Sequence, residues 1–454
     1  METDVRSKQD RPGWLEASGL PHILRTLGLA VHPAKLGLAF AALFLTFVLG
    51  GVLDWIWVRA DGGVDETAVS AFVTARQLDR PYTEPSGTHG VFRVFREHER
   101  RSILGFLGSS LPGASVAAGT PVGTYVELHS YAGSLQSLVS MAYGVLWMGR
   151  HHPFYFLLFG VGTLILWASA GGAICRIAAV HFGKDEKLTA KQGLSYARGK
   201  LFGGFVLAPC IPLAFVLLTA VIMMLGGLFL RIPVLGDVVG GLAFGLAIVG
   251  GFVIAILLVG LVAGGSLFWP AVATEGSDAF DSFSRSLSYP LSKPWKFALY
   301  TIFAVVFASL CWVLVNLFTY LALAVTRGVV GFGTAPFGRL MRDAAGVPIR
   351  KLDLLWPLGG PNSLYAWPEW SRLAGYEYIS AALIALYVLI VIGLLWAFLC
   401  SFYFCASTVI YFLLRRDVDG TDLEEVQIDD APAPLPAQGA AISGSPAPAL
   451  ASPT

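Results

Sequence analysis

Residues 178–200 read AAVHFGKDEKLTAKQGLSYARGK, and residues 271–293 read AVATEGSDAFDSFSRSLSYPLSK. The two stretches align without gaps, 93 positions apart, and share seven identities: Ala178/Ala271, Gly183/Gly276, Asp185/Asp278, Leu194/Leu287, Ser195/Ser288, Tyr196/Tyr289 and Lys200/Lys293. Each is a polar interlude between two apolar runs long enough to cross a bilayer. The chain therefore reads as a tandem parallel repeat whose unit is a helix, an elbow and a second helix.

Composition supports that reading. Hydrophobic residues make up 55% of the chain and charged residues 13%, against roughly 25% charged in soluble domains. The apolar residues fall in continuous blocks. A hydrocarbon layer of about 30 Å needs about 20 helical residues, and backbone groups there must satisfy one another. Six runs meet the length, at 36–57, 154–179, 202–230, 238–273, 295–325 and 379–414. The expected fold is all-α, a polytopic bundle of six transmembrane helices. The fourth run would reach about 54 Å as one helix, so it tilts, projects from the bilayer or breaks at a glycine pair such as Gly250-Gly251, and a seven-span or re-entrant topology is the rival to six spans. The blocks lack the period-two alternation of membrane barrels.

Lys and Arg in short loops set orientation. Arg176, Lys184, Lys187, Lys191, Arg198 and Lys200 surround the first elbow. Arg285, Lys293 and Lys296 surround the second, and Arg415-Arg416 follow the sixth run. Only Arg231 stands in the turn between the third and fourth. Both termini and both elbows are thus expected on the cytoplasmic side. The N-terminal segment, 1–35, is too polar for a cleavable signal peptide.

Segment 58–153 is then external. Asp65 is placed to cap a helix over 66–80. Residues 91–107 read as a helix lying on the membrane surface, and 135–147 carry apolar residues at helical spacing. Residues 154–325 hold the repeat, 326–378 a second external loop, and 415–454 an acidic, then Ala/Pro/Ser-rich tail expected to be disordered. The five cysteines (Cys175, Cys210, Cys311, Cys400 and Cys405) all fall in apolar runs and form no metal-type spacing.

Candidate contacts cluster at the elbows. Arg176 and Glu275 stand at the inner ends of the second and fourth runs and are candidates for an interhelical pair. Arg285, Lys293 and Lys296 beside Tyr289 could meet an anionic headgroup, or the elbow helix could simply set the angle between spans. Asp54 and Arg176 could snorkel to the interface. Asn316 suits an interhelical hydrogen bond. Pairs of glycines four apart (Gly236/Gly240, Gly241/Gly245 and Gly260/Gly264) favour close helix packing. His151-His152 would need His98, Glu127 or His129 to hold a metal. No enzyme signature is present, and no cofactor is expected. A net charge of +1 gives no reason to expect nucleic acid as a partner.

The stretch from Pro270 through Phe303 resembles the helix–elbow–helix units of the bacterial glycerophosphoryl diester phosphodiesterase membrane-domain group. Pro270, Glu275, Arg285 and Ser286 stand at the matching positions, and the likeness covers roughly residues 155–325. The soluble phosphodiesterase half of such enzymes, with its His-Arg-Gly opening, has no counterpart in this sequence. The resemblance thus implies a membrane bundle without that activity. The expected role is a scaffold, a partner-binding or a lipid-organising subunit, with membrane lipids, another protein or a second copy as partners. A small transporter or channel is the alternative, because internal repeats are common in transporters.

The repeat makes a topological prediction. Cysteines placed at Lys187 and Lys293 in a cysteine-free background react with an impermeant maleimide from the same membrane face. Labelling from opposite faces would remove the duplicated hairpin.

Overall fold

The computed structural model describes residues 19–109, 133–229, 231–232, 235–334, 341–342, 348–357, 364–373 and 375–426. Its helices are α1 (Leu20–Leu24), α2 (Thr26–Ala30), α3 (Pro33–Asp61), α4 (Ala68–Gln77), α5 (Val91–Ser109), α6 (Ser134–His151), α7 (Pro153–Lys184), α8 (Ala190–Gly199), α9 (Leu207–Phe229), α10 (Leu235–Gly264), α11 (Phe268–Glu275), α12 (Ala279–Ser292), α13 (Pro294–Thr334), α14 (Lys351–Leu355) and α15 (Glu377–Asp419). A π-helix (Leu201–Val206) leads into α9, and a 3-10 turn (Gly265–Leu267) separates α10 from α11. Strand pairing among the described residues is confined to two short antiparallel pairs, Gly63–Val64 with Ser86–Gly87 and Met341–Arg342 with Pro348–Ile349. Six helical stretches are long and apolar enough to cross a membrane: Pro33–Asp61, Pro153–Lys184, Leu201–Leu228, Val238–Glu275, Pro294–Thr334 and Glu377–Asp419. The protein is a multi-pass helical membrane bundle.

Helix α7 is the central post. From Ala168 to Gly183 almost every residue is buried, and small residues there let neighbours approach closely. A Cβ at Gly171 would collide with the rings of Trp269 and Phe404, and one at Gly172 with Phe205. Aromatic groups from α11, α15 and the π-helix thus seat on a glycine pair. The π-helix has its own use. Its last turn presents the Phe205 carbonyl to the Trp269 Nε1–H at 2.8 Å, and the residue four positions on, Pro209, has no N–H to compete for it.

Both elbows are short helices, and backbone chemistry shapes them alike. Asp185 (φ 56°) and Gly276 (φ 64°) end α7 and α11 in the left-handed conformation, which turns the chain at a helix C-terminus. Thr189 then starts α8 with a reciprocal capping box to Gln192, and Asp278 starts α12 by accepting the Asp281 N–H. The caps lie 89 positions apart rather than 93, so the gapless alignment superposes the ends of the elbow helices and not their starts. Pro290 sits inside α12, which runs on to Ser292.

The fourth run breaks, but not at Gly250-Gly251, through which α10 passes unbroken. The interruption is the 3-10 turn at Gly265–Leu267, where α12 lies against the chain. A Cβ at Gly264 would stand 2.5 Å from the Ser286 carbonyl oxygen, and one at Gly260 would meet Leu287. The Gly260/Gly264 pair therefore receives the elbow helix rather than another span. Gly241 and Gly245 face open space.

The α9–α10 hairpin stands apart from the rest. Its two helices pack on each other and are held to the bundle through α12, the π-helix and α11. Leu242, Val262 and Leu246 are 87%, 86% and 76% exposed, which in a membrane means exposed to hydrocarbon.

At the end opposite the elbows, Asp54 accepts the backbone N–H of Phe92 and Arg93 and the Tyr155 hydroxyl hydrogen. It is an anion at the positive end of α5 and does not snorkel. From there α5 crosses the bundle until Leu104 and Leu107 pack with Trp312 and Leu395. Asp54 and Trp312 both stand about 30 Å along their helices from the elbow end at 1.5 Å per residue. Helix α5 thus lies across the spans. Asp65 accepts from the Thr67 N–H and hydroxyl, and α4 begins at Ala68.

Several boundaries move: α7 runs on to Lys184 and α15 to Asp419, five residues past each expected end. Helix α13 continues nine residues past 325, to Thr334. The tail expected to be disordered is folded through Val426: after Gly420 (φ 71°) the chain turns back, and Leu423 and Val426 join the main core. Residues 427–454 and 1–18 lie outside the described residues.

Replacing Gly264 by Val forces the elbow helix off α10 and costs about 1–3 kcal/mol, lowering the thermal unfolding midpoint in detergent. Gly241→Val, with open space around it, leaves that midpoint unchanged. Equal effects would refute the elbow contact.

Candidate functional site at the elbow end

The C-terminal turn of a helix ends in unpaired carbonyls, and at α11 side chains from other helices satisfy them. Arg176 is buried, donates from Nη1 to the Ala273 carbonyl at 2.8 Å, and lies over the Tyr196 ring at 4.1 Å. Tyr196 donates to the Val272 carbonyl, and Lys200 Nζ to the Gly276 carbonyl at 2.8 Å. One arginine, one tyrosine and one lysine, from α7 and α8, therefore close the end of α11, where positive charge opposes the helix dipole. The anticipated Arg176–Glu275 ion pair does not form. Arg176 reaches a carbonyl two residues short of that carboxylate.

Glu275 finds other partners. It ends α11 with negative charge at the negative pole of the helix, an unfavourable placement unless cations offset it. Arg285 Nη1 lies 2.8 Å from Oε2, Arg415 Nε lies 3.3 Å from Oε1, and the Tyr411 hydroxyl donates to Oε1. The Glu275 and Arg415 side chains are only 9% and 10% exposed, so this pairing works in a poorly hydrated setting. Arg415 also donates to the Glu425 carbonyl, which fastens the returning tail.

The second elbow is neutralised in the same way. Arg285 also pairs with Asp281 at 3.1 Å, and Tyr289 donates to Asp419. Burial, then the bond to Asp419, pushes the Tyr289 hydroxyl up to about 12. Asp417 binds Lys296 at 3.0 Å and accepts from Tyr300. Of the cations foreseen for a headgroup, Arg285 and Lys296 are thus engaged by the acidic tail, and Lys293 is exposed. The acidic partners escaped the sequence reading because they were assigned to a solvated tail.

A second cluster was not foreseen. A cleft of about 440 Å³ opens between α1–α2 and the last turn of α7, lined by Arg25, Gly28, Leu29, His32, His181, Phe182, Asp185 and Lys187. Behind its wall Lys35 is fully buried, with Nζ 3.5 Å from His181 Nδ1. No carboxylate forms an ion pair with Lys35 among the described residues. The sequence signal was present (five basic side chains across the start of α3 and the end of α7), but nothing in the one-dimensional pattern brings those segments together.

Other candidates separate. His152 pairs with Glu84 at 3.1 Å, His151 meets the Trp147 carbonyl, and His98 meets the Ser140 carbonyl. Burial alone would raise the Glu84 carboxyl, but the His152 hydrogen bond and charge hold it below its usual range. The three histidines do not converge, and Glu127 and His129 lie outside the described residues. Among the described residues no group of three metal-ligating side chains assembles. Asn316 is buried, but its Oδ1 has no hydrogen-bond partner, so the expected interhelical bond through that atom is absent. Cys175, Cys311 and Cys405 are buried, and Cys210 and Cys400 are partly so.

Glu275→Ala takes the carboxylate away from the buried Arg415, while Arg285 keeps Asp281, and costs about 3 kcal/mol. In double-mutant cycles the loss couples to Arg415→Ala by about 1 kcal/mol or more, and adds to Arg176→Ala within about 0.5 kcal/mol; the reverse order would restore the pair rejected above. No family model matches this chain, nor does any curated protein or solved structure.

Proposed function

We propose that this protein is a non-enzymatic multi-pass subunit of a bacterial inner membrane that organises lipid or holds a partner. The observation that carries the proposal is the α9–α10 hairpin. It presents apolar faces on nearly all sides while the elbows fix its base through Gly260, Gly264, Ser286 and Leu287. Such a hairpin suits a surface offered to lipid chains or to the apolar face of another membrane helix. Lys and Arg counts favour the elbow end as cytoplasmic, together with both termini.

The tandem repeat belongs to the same proposal. In support, Tyr196 and Tyr289, which align in the sequence, both donate to the C-terminal end of a neighbouring span, at Val272 and at Asp419. Pro270, Glu275, Arg285 and Ser286, the positions resembling the phosphodiesterase-linked membrane domains, all sit at this joint between α10, α11 and α12. That likeness extends the proposal no further than a membrane bundle.

Purification in mild detergent, followed by mass spectrometry, recovers a stoichiometric protein or a lipid class enriched over bulk membrane. Combined Leu242→Ala, Leu246→Ala and Val262→Ala substitutions reduce that recovery without lowering thermal stability. Recovery of neither protein nor lipid, or solute flux through reconstituted vesicles, would reject the proposal in favour of the transporter alternative or neither.

A further inference from the structure

We propose that the cleft between α1–α2 and the end of α7 binds a phosphate group. Its walls carry Arg25, His32, His181 and Lys187 against one acidic side chain, Asp185. Lys35 adds a fifth basic group from behind, within 3.5 Å of His181. A buried ammonium normally has an ionic partner because desolvation is costly. Lys35 has none among the carboxylates described. An anion in the cleft would supply that missing charge.

Three further features agree. Helix α3 begins at the cleft, with His32 as its N-cap and no side chain capping it, so the positive pole of a 29-residue helix adds to the field. The Nδ1 atom of His32 is enclosed and has no hydrogen-bond partner, as a group awaiting a ligand would be. Burial, then the positive charges of Lys35 and Lys187, pull this imidazole below its usual range.

A volume of about 440 Å³ holds a phosphate with room for attached groups. Arg25 supplies planar, bidentate recognition, and Lys187 a mobile point charge. The same chemistry fits a lipid phosphodiester or a free phosphate. The inference deepens the lipid-organising proposal, yet none of the residues lining the cleft belongs to the α9–α10 hairpin tested there, so the two can fail separately.

The test is binding to the full-length protein in nanodiscs. Thermal unfolding and native mass spectrometry are followed with phosphatidylglycerol titrated into phosphatidylcholine, and separately with inorganic phosphate. The expected result is saturable stabilisation by one of the two. Arg25→Gln with Lys187→Gln, both exposed side chains, raises the half-saturating concentration about tenfold. Lys191→Gln with Lys293→Gln removes equal charge from the same end and leaves the half-saturating concentration as it is in the wild type. Stabilisation by phosphatidylglycerol alone assigns a headgroup. Stabilisation by inorganic phosphate assigns a soluble ligand, keeping the site while removing its lipid role. No stabilisation by either, or equal weakening in both variants, overturns the proposal.

Discussion

A helix that stops at the edge of a membrane leaves carbonyls to be satisfied, and in this protein the end of α11 is satisfied in trans. Glu275, Arg285, Arg415 and Tyr411 join the end of α11 to α12 and α15. Arg176, Tyr196 and Lys200 join it to α7 and α8. One helical terminus thus gathers both elbows and the last span. Apolar side chains cannot do this, because between helices in lipid they gain little over lipid itself. The polar joints at the elbow end supply direction, and the small residues of α7 supply proximity.

The acidic stretch after α15 takes its meaning from the same joint. Asp417, Asp419 and Glu425 look like the opening of a solvated tail when read alone. Folded, they oppose Lys296, Arg285 and Arg415. The N-terminal helices close the other side: Ser401 donates to the Ala30 carbonyl, and Gly19 lies against Arg416 and Leu413. Residues 19–30 and 417–426 are therefore built into the end of the bundle that holds the elbows.

Legibility in the sequence followed the range of each interaction. Spans were readable because hydrocarbon imposes a length and a polarity on every stretch that enters it. The elbows were readable because their apolar and polar positions alternate locally, and α5 and α6 for the same reason. Pairings over a hundred residues apart were not readable: Tyr289 with Asp419, Glu275 with Arg415, Lys35 with His181. Charge type marked these residues as unusual without naming partners, which is how Arg176 came to be matched with Glu275 when a backbone carbonyl was the true acceptor. The break in the fourth run was misplaced for a related reason. Two adjacent glycines suggest a kink, but the chain yields where a crossing helix leaves no space for a side chain.

Among the described residues the α9–α10 hairpin meets α11 and α12 near its base, which makes it a lever. Its 30-residue α10 extends about 45 Å from the elbow at 1.5 Å per residue. A rocking of about 5° at α12 would carry the tip sideways by about 4 Å, roughly half the spacing between packed helices. A disturbance too small to register as a change of fold at one surface of the bilayer would be amplified at the other.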